Sequence, residues 1–327
     1  MGNTVLELKN VNKVFSQGRI KKTYKLALDG INLKIGKGDR LVIIGESGMG
    51  KTTLARILSN LETPTNGEIL WYDKPIKSLS RSQYKDLRVK IQYVHQDPYA
   101  SLHPSKSIFK IISDPLQKAQ GLKGDELYKK TKSLLETVGL TPAEYFFNKY
   151  PHHLSGGGRQ RLAIARALTV NPEIIIADEP ISMIDMSLRA SIIKLLKDLN
   201  DKLNITIILI LHDIGAARYF TAEKGNIAVL YGGKIVEFCS SNDIISKPLH
   251  PYTKVLINSS PIPDPEISRN REIPKLKSYD APKRTPDDKK CPFIHACLYS
   301  DNRCNISPEL IEKSKGHFVA CHRVDEI

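Results

Sequence analysis

The stretch Gly45-Glu-Ser-Gly-Met-Gly-Lys51-Thr52-Thr53 constrains this chain more than any other. Its spacing is G-x-x-x-x-G-K-[ST], with Gly45, Gly50, Lys51 and Thr52 in the four fixed places. Gly45, Gly48 and Gly50 let the backbone bend until successive N–H groups face one concavity that suits a phosphate chain. Lys51 supplies a cation for β and γ oxygens, and the Thr52 hydroxyl can join the shell of Mg²⁺. The candidate cradle is therefore Gly45, Glu46, Ser47, Gly48, Met49, Gly50, Lys51, Thr52 and Thr53. Its flanks agree with it. Leu41–Ile44 is a short apolar run that reads as a buried strand. Thr53 to Leu61 has helical spacing, with Leu54, Ile57, Leu58 and Leu61 on one side. A strand, a loop and a helix with its positive end at the phosphates make an α/β nucleotide-binding unit.

The 327 residues suffice for one large α/β domain plus an appendage. The longest apolar stretch, near Ile205–Leu211, is far short of the ~20 residues of a membrane span. The N-terminus lacks a basic-then-apolar leader pattern, so the chain is expected to be cytosolic. A net charge of +14 is compatible with nucleic acid, an anionic membrane face, or a solvated lysine-rich surface. The lysines are scattered, apart from short groups such as Lys21-Lys22 and Lys289-Lys290. Nucleic-acid binding would need aromatics among them for base stacking, and aromatics are only 7% of the chain, so no nucleic-acid partner is expected. Of five cysteines, Cys239 stands alone and reads as a small core or surface residue. The other four lie between Cys291 and Cys321, which in a reducing compartment reads as metal binding before disulfides.

Taken in order, Thr4–Lys9 and Ile31–Ile35 read as strands, separated by a polar turn over residues 16–22. Phe15 precedes that turn, where it could stack on a base or fill a hairpin core. Glu68–Tyr72 is a further strand. Ile91–Val94 is another and ends at His95-Gln96, a position from which Gln96 could reach Mg²⁺ and a water. Residues 105–150 look helical, broken at Pro115, Gly121 and Gly139–Pro142. Leu154-Ser-Gly-Gly-Gly158 follows, with Ser155 as a helix N-cap and a second anion site at the helix start. Ile174–Ala177 is an apolar strand that ends in Asp178 and Glu179. There Asp178 would hold Mg²⁺ through water, and Glu179 would orient or deprotonate the attacking water. The Ser182–Asp185 loop precedes a helix through Leu199. The strand Ile205–Leu211 ends at His212. Ile227–Tyr231 and Lys234–Phe238 flank Gly232-Gly233 as a hairpin, and Asn242–Ser246 begins a helix. From Ser260 to Lys290, Pro261, Pro263, Pro265, Pro274, Pro282 and Pro286 suggest an extended linker or loosely packed arm.

These pieces, in this order, resemble the ATP-binding subunit of an ABC transporter, within the oligopeptide/dipeptide/nickel importer class. The phosphate loop, Gln96, Leu154–Gly158, Asp178 with Glu179, Ser182–Asp185 and His212 carry the resemblance over about residues 4–260. Gln96-Asp-Pro-Tyr-Ala-Ser-Leu-His-Pro104, His250-Pro-Tyr-Thr253 with Ser260-Pro261, and the tail Cys291-x5-Cys297-x6-Cys304-x16-Cys321-His322 carry the class. The resemblance implies a P-loop NTPase core, meaning a mixed sheet flanked by helices with an N-terminal antiparallel β part. It also implies a helical subdomain over about 97–160 and a small Cys-rich C-terminal extension over 261–327. It implies adenine against Phe15, with Tyr24 as a rival, and Ser155, Gly156, Gly157 and Asp185 as further nucleotide contacts. Thr52, Gln96 and Asp178 would serve Mg²⁺, with Glu179, His212 and Gln96 as the catalytic set. The four tail cysteines would ligate a [4Fe–4S] cluster, with a Cys₄ zinc knot as the alternative. Gly158 departs from the usual Leu-Ser-Gly-Gly-Gln signature, which bears on the strength of one composite site.

The implied partners are a second, homologous ATPase subunit in a heterodimer, a pair of membrane permeases, and indirectly an extracytoplasmic substrate-binding protein. The implied location is peripheral, on the cytoplasmic face of the cell membrane. Peptides lead the implied substrates, with nickel and oligosaccharide as alternatives. A soluble, non-transport ABC ATPase would be expected to carry two cassettes or a long coiled-coil insertion, and this chain shows neither.

Overall fold

The structure, a computed structural model, describes residues 4–18, 22–259, 275–280 and 283–327. Its strands are β1 (Thr4–Gln17), β2 (Thr23–Gly36), β3 (Arg40–Ile44), β4 (Asn66–Trp71), β5 (Lys74–Pro75), β6 (Ile91–Val94), β7 (Ile174–Asp178), β8 (Thr206–Leu211), β9 (Asn226–Tyr231), β10 (Lys234–Ser240), β11 (Ile311–Ser314) and β12 (His317–Val319). The chain divides into two compact units. One comprises Met1–Gly36, Arg40–Lys77 and Ile210–Ile327, and the other Lys37–Asp39 and Ser78–Leu209.

The first unit holds an antiparallel sheet in the order β2-β1-β4-β5. Residues Ile31, Leu33 and Ile35 are buried while Asn32 and Lys34 are not, the period of two that a half-buried strand requires. The strands nevertheless run well past the alternating segments Thr4–Lys9 and Ile31–Ile35, pairing as far as Gln17 opposite Thr23. Register shifts between Leu8 and Val11 and between Lys13 and Val14 interrupt the alternation. Backbone pairing crosses such bulges although the side-chain pattern does not. The same unit contains strands in the order β11-β12-β10-β9-β3, with β3 parallel to β9 and β9 antiparallel to β10. Helix α1 (Lys51–Leu58) follows β3, buries Leu54, Ile57 and Leu58, and ends before Leu61, which is exposed.

Pro261, Pro263, Pro265, Pro274 and Pro282 lie outside the described residues; Pro286 is exposed, but the described part of this stretch is anchored at one residue. Arg284 is buried; its guanidinium donates to Gly232 O (2.9 Å) and Asp288 O (3.0 Å) and pairs with Asp29 at 2.9 Å. Its carbonyl accepts from Leu26 N at 3.0 Å. A buried guanidinium is tolerable only when so partnered, and the local composition conceals that requirement. The C-terminal segment also joins the sheet itself, because β12 pairs with β10.

In the second unit the strand order is β8-β7-β6, with β6 parallel to β7. Ile174–Ala177 and Ile207–Leu209 are wholly buried, which explains why these strands read as unbroken apolar runs. The helices are α2 (Arg81–Lys90), α3 (Pro98–Ser101), α4 (Ile108–Gln120), α5 (Gly124–Thr137), α6 (Glu144–Phe147), α7 (Gly156–Leu168) and α8 (Met186–Leu203). The helical reading of 105–150 corresponds to α4–α6. Pro115 does not break α4. It removes one backbone donor, but Ile108, Ile111, Ile112 and Leu116 bury a continuous face across it. The remaining helices, in the first unit, are α9 (Ile214–Thr221), α10 (Ser241–Ser246) and α11 (Pro251–Ser259). Among the described residues no helix is long and apolar enough to cross a membrane.

Candidate nucleotide site

The phosphate loop lies between β3 and α1. A Cβ on Gly45 (φ +152°) would stand 2.3 Å from Leu230 O, and one on Gly50 (φ +101°) would stand 2.5 Å from Ala27 O. Both glycines are thus required by backbone conformation and by neighbouring carbonyls. Lys51 is buried, and its ammonium donates to Gly45 O (2.7 Å) and Glu46 O (2.8 Å). Thr52 is exposed on the first turn of α1. The turn between β9 and β10 braces the loop from below: Gly233 N donates to Met49 O at 3.1 Å and Gly232 N to Met49 Sδ at 3.4 Å. Phe15 is half-buried under the Lys13 ammonium, 4.9 Å from the ring centroid, and Tyr24 is exposed on the facing strand. His212 is exposed just beyond β8.

In the second unit, the parallel neighbours β6 and β7 deliver two polar pairs at their carboxyl ends. The Tyr93 hydroxyl donates to Asp178 Oδ2 at 2.7 Å, and Gln96 Nε2 donates to Glu179 Oε2 at 2.9 Å. Asp178 is buried, whereas Glu179 is half-buried with φ +45°. A left-handed glutamate carries backbone strain of the kind that collects at functional positions. It is held there by Ser182, whose N–H and Oγ both donate to Glu179 O.

Ser155 caps α7, accepting from Gly158 N at 3.2 Å, and remains exposed. Gly158 supplies that donor, so the backbone role of the position persists without the Gln side chain. Gly156 and Gly157 lie against the loop that leads into α8: a Cβ on Gly156 would meet Met183 O at 2.9 Å, and one on Gly157 would meet Leu188 at 3.2 Å. Asp185 is exposed at the N-cap of α8. Met183 and Met186 are 61% and 79% exposed beside it.

In the first unit, Cys291, Cys297, Cys304 and Cys321 line one cavity together with His250 and Phe293. Burial pushes the Cys291 thiol up to about 12 and raises those of Cys297 and Cys321. Such thiols hold their protons until a cation displaces them. Among the described residues no three of these sulfurs lie within 4.8 Å of one another. A tetrahedral zinc with 2.3 Å bonds would draw them to about 3.8 Å apart. Cys239 is not isolated. It is buried in one group with Glu237 and His317.

Three features escaped the sequence. Tyr93 orients Asp178, but an aromatic on a strand carries no mark of its partner. Tyr252 accepts from Glu46 N at 2.9 Å, and the His250-Pro-Tyr-Thr253 motif offered only a class signal. Glu237 and His317 meet at 2.7 Å across a long separation in sequence.

A strand–loop–helix phosphate cradle, a strand ending in an Asp–Glu pair and a glycine-capped helix start define a P-loop ATPase cassette. The ABC transporter family matches residues 28–182, and the oligopeptide/dipeptide transporter C-terminal region matches 236–304. The oligopeptide transport ATP-binding protein AppF of Bacillus subtilis is 39% identical over 98% of this chain and 97% of its own length. OppF of Salmonella typhimurium is 36% identical over 94% and 90%, respectively. The dimeric post-hydrolysis structure of the ATP-binding cassette MJ0796, bound to ADP and phosphate, superposes with a TM-score of 0.63 at 34% identity, covering 72% of this chain and 98% of that one. The chain belongs to the family of ABC transporter ATP-binding subunits, in its oligopeptide/dipeptide importer group. It is an ATPase, and it is the ATP-hydrolysing subunit of an importer.

Proposed function

We propose that this subunit couples ATP hydrolysis to uptake of oligopeptides or dipeptides, working as half of a heterodimer with a second, homologous ATPase. The observation that carries the reading is the exposed Ser155 at the start of α7, with half-buried Gly156 next to it and the exposed Met183 and Met186 beside them, which supports a surface for a partner's nucleotide. Phosphate-loop amides and Lys51 bind the triphosphate, with adenine against Phe15 or Tyr24. Thr52, Gln96 and Asp178 would hold the magnesium, which neutralises charge on the phosphates, and Tyr93 fixes the Asp178 carboxylate. Glu179 orients and deprotonates the water that attacks the γ-phosphorus, and His212 holds the γ-phosphate. Gln96 is bonded to Glu179 and so senses the same event. The γ-phosphate binds the closed pair better than the open one, so its loss reopens the pair. The subunit works peripherally on the cytoplasmic face of the membrane; a pair of membrane permeases follows its movement, and an extracytoplasmic binding protein presents the substrate to them.

Glu179→Gln in the assembled complex should retain ATP binding and slow hydrolysis by roughly a hundredfold or more. Unchanged turnover would remove Glu179 from the role of base.

The four tail thiols would hold a [4Fe–4S] cluster. The convergence of the four thiols on one cavity supports metal ligation, with a zinc knot as the alternative. Anaerobic purification should give a brown protein with stoichiometric iron. A colourless protein with one zinc would reverse the assignment.

A further inference from the structure

The thiol cavity and the phosphate loop share a side chain. Tyr252, at the start of α11, is 1% exposed. Its hydroxyl accepts the Glu46 N–H at 2.9 Å, at the entry of the loop. Its ring centroid lies 4.5 Å from Tyr231 and 5.6 Å from Phe293. Phe293 follows Cys291 by two residues, lines the thiol cavity, and accepts from Cys297 N through its carbonyl at 2.9 Å. His250 lines the same cavity, and its Nδ1 accepts from Tyr252 N at 3.1 Å. The sulfurs therefore reach the loop through two packed routes that both end on Tyr252.

What Tyr252 holds is the point where Lys51 acts. Lys51 donates to the carbonyls of Gly45 and Glu46, on either side of the peptide N–H that Tyr252 takes. To serve a phosphate, the ammonium must exchange those carbonyls for phosphate oxygens. The hydroxyl of Tyr252 then becomes the contact that keeps the Glu46 amide in place. Interiors packed in this way shift between discrete arrangements rather than deform smoothly, so a change at the sulfurs is felt at the ring.

We propose that Tyr252 is a positioning residue for the phosphate loop, and that through it the ligation of the four thiols and the binding of nucleotide are coupled. The proposal rests on the reading that the thiols hold a metal group and the loop holds ATP. Coupling between binding events is reciprocal, so nucleotide must hold the thiol element closed by the same factor that the closed element strengthens nucleotide binding.

The test uses the full chain as purified, with Mg–ATP and a maleimide as probes. Labelling of Cys291, Cys297, Cys304 and Cys321 is followed by mass spectrometry, and nucleotide binding is measured on the same sample. Saturating Mg–ATP should slow labelling by about fivefold or more, a typical coupling factor. In Tyr252→Phe, which keeps the ring packing, the labelling rate without nucleotide should stay as it was and the effect of Mg–ATP should fall below about twofold, with nucleotide bound several-fold more weakly. Phe293→Leu keeps the hydroxyl bond but breaks the ring bridge. It should reduce the protection and weaken nucleotide binding by the same factor, because the coupling is reciprocal. Full protection in either variant, or none in the parent although it binds Mg–ATP, overturns the coupling. A parent chain that binds no Mg–ATP would instead refute the assignment of the loop.

Discussion

Glu237→Gln is the most exacting test of how the C-terminal segment is fastened. The Glu237 carboxylate is fully buried in β10. It accepts from Leu249 N (2.9 Å) and His317 Nε2 (2.7 Å) at Oε1, and from His250 N (2.8 Å) at Oε2. Glutamine replaces one of these oxygens with an amino group. In one orientation that group faces the His250 N–H; in the other it faces the Leu249 N–H and the His317 ring. At least one buried donor is stranded either way, at about 1–3 kcal/mol, and the charge that strengthened the remaining bonds is gone. Breaking a buried pair by changing one partner costs about 3–5 kcal/mol in all. The chain's one tryptophan, Trp71, lies in the same unit, so its fluorescence reports urea unfolding of the relevant part. With a slope of about 3 kcal/mol per molar, the midpoint should fall by about 1–1.7 M. His317→Gln should cost less, and the double variant less than the sum, because both changes break one pair. A midpoint shift under about 0.3 M for Glu237→Gln would show that the carboxylate is not fixed as described.

Two further outcomes follow from the same geometry. Gly45→Ala must place a Cβ against Leu230 O at positive φ, so nucleotide binding should fall at least about tenfold, measured by titration calorimetry; undiminished affinity would contradict the assigned backbone conformation. His250 is held down at about 3 by burial, below the 6.5 of an unfolded histidine, so stability is full above pH 6.5 and is lost on acidification by about 1.4 kcal/mol per pH unit between those values. Urea midpoints between pH 6.5 and 5 should therefore fall more steeply for the parent than for His250→Asn; parallel slopes would refute the burial of a neutral imidazole.

The placement of the candidate site was legible because it is written locally. Gly45–Thr52, Asp178 with Glu179 and Ser155–Gly157 are short strings, and they sit between a strand and a helix, at a strand end and at a helix start, as their residue types predict. The buried strands β7 and β8 were legible for a related reason, since burial on both faces leaves an unbroken apolar run. Pro115 misled because propensity is local, whereas the apolar face of α4 that overrides it spans the whole helix. The lengths of β1 and β2 misled because bulges break the side-chain period without ending the backbone pairing.

The C-terminal segment shows where local reading must stop. Its prolines and charges describe a chain with little apolar surface to bury, which is the composition of an arm. Yet Arg284, Phe293 and His317 are each buried, and each is partnered by a residue far upstream: Asp29 and Gly232, Tyr231 and Tyr252, and Glu237. A buried charge demands a specific partner far more strongly than a buried methyl does, because unpaired it costs several kcal/mol. Few such residues therefore suffice to lock a polar segment into place. No window statistic sees them, because the energy belongs to pairs and not to stretches. The Gly45–Thr52 loop and the four clustered cysteines consequently share one compact unit, although the linear sequence sets them at opposite ends of the chain.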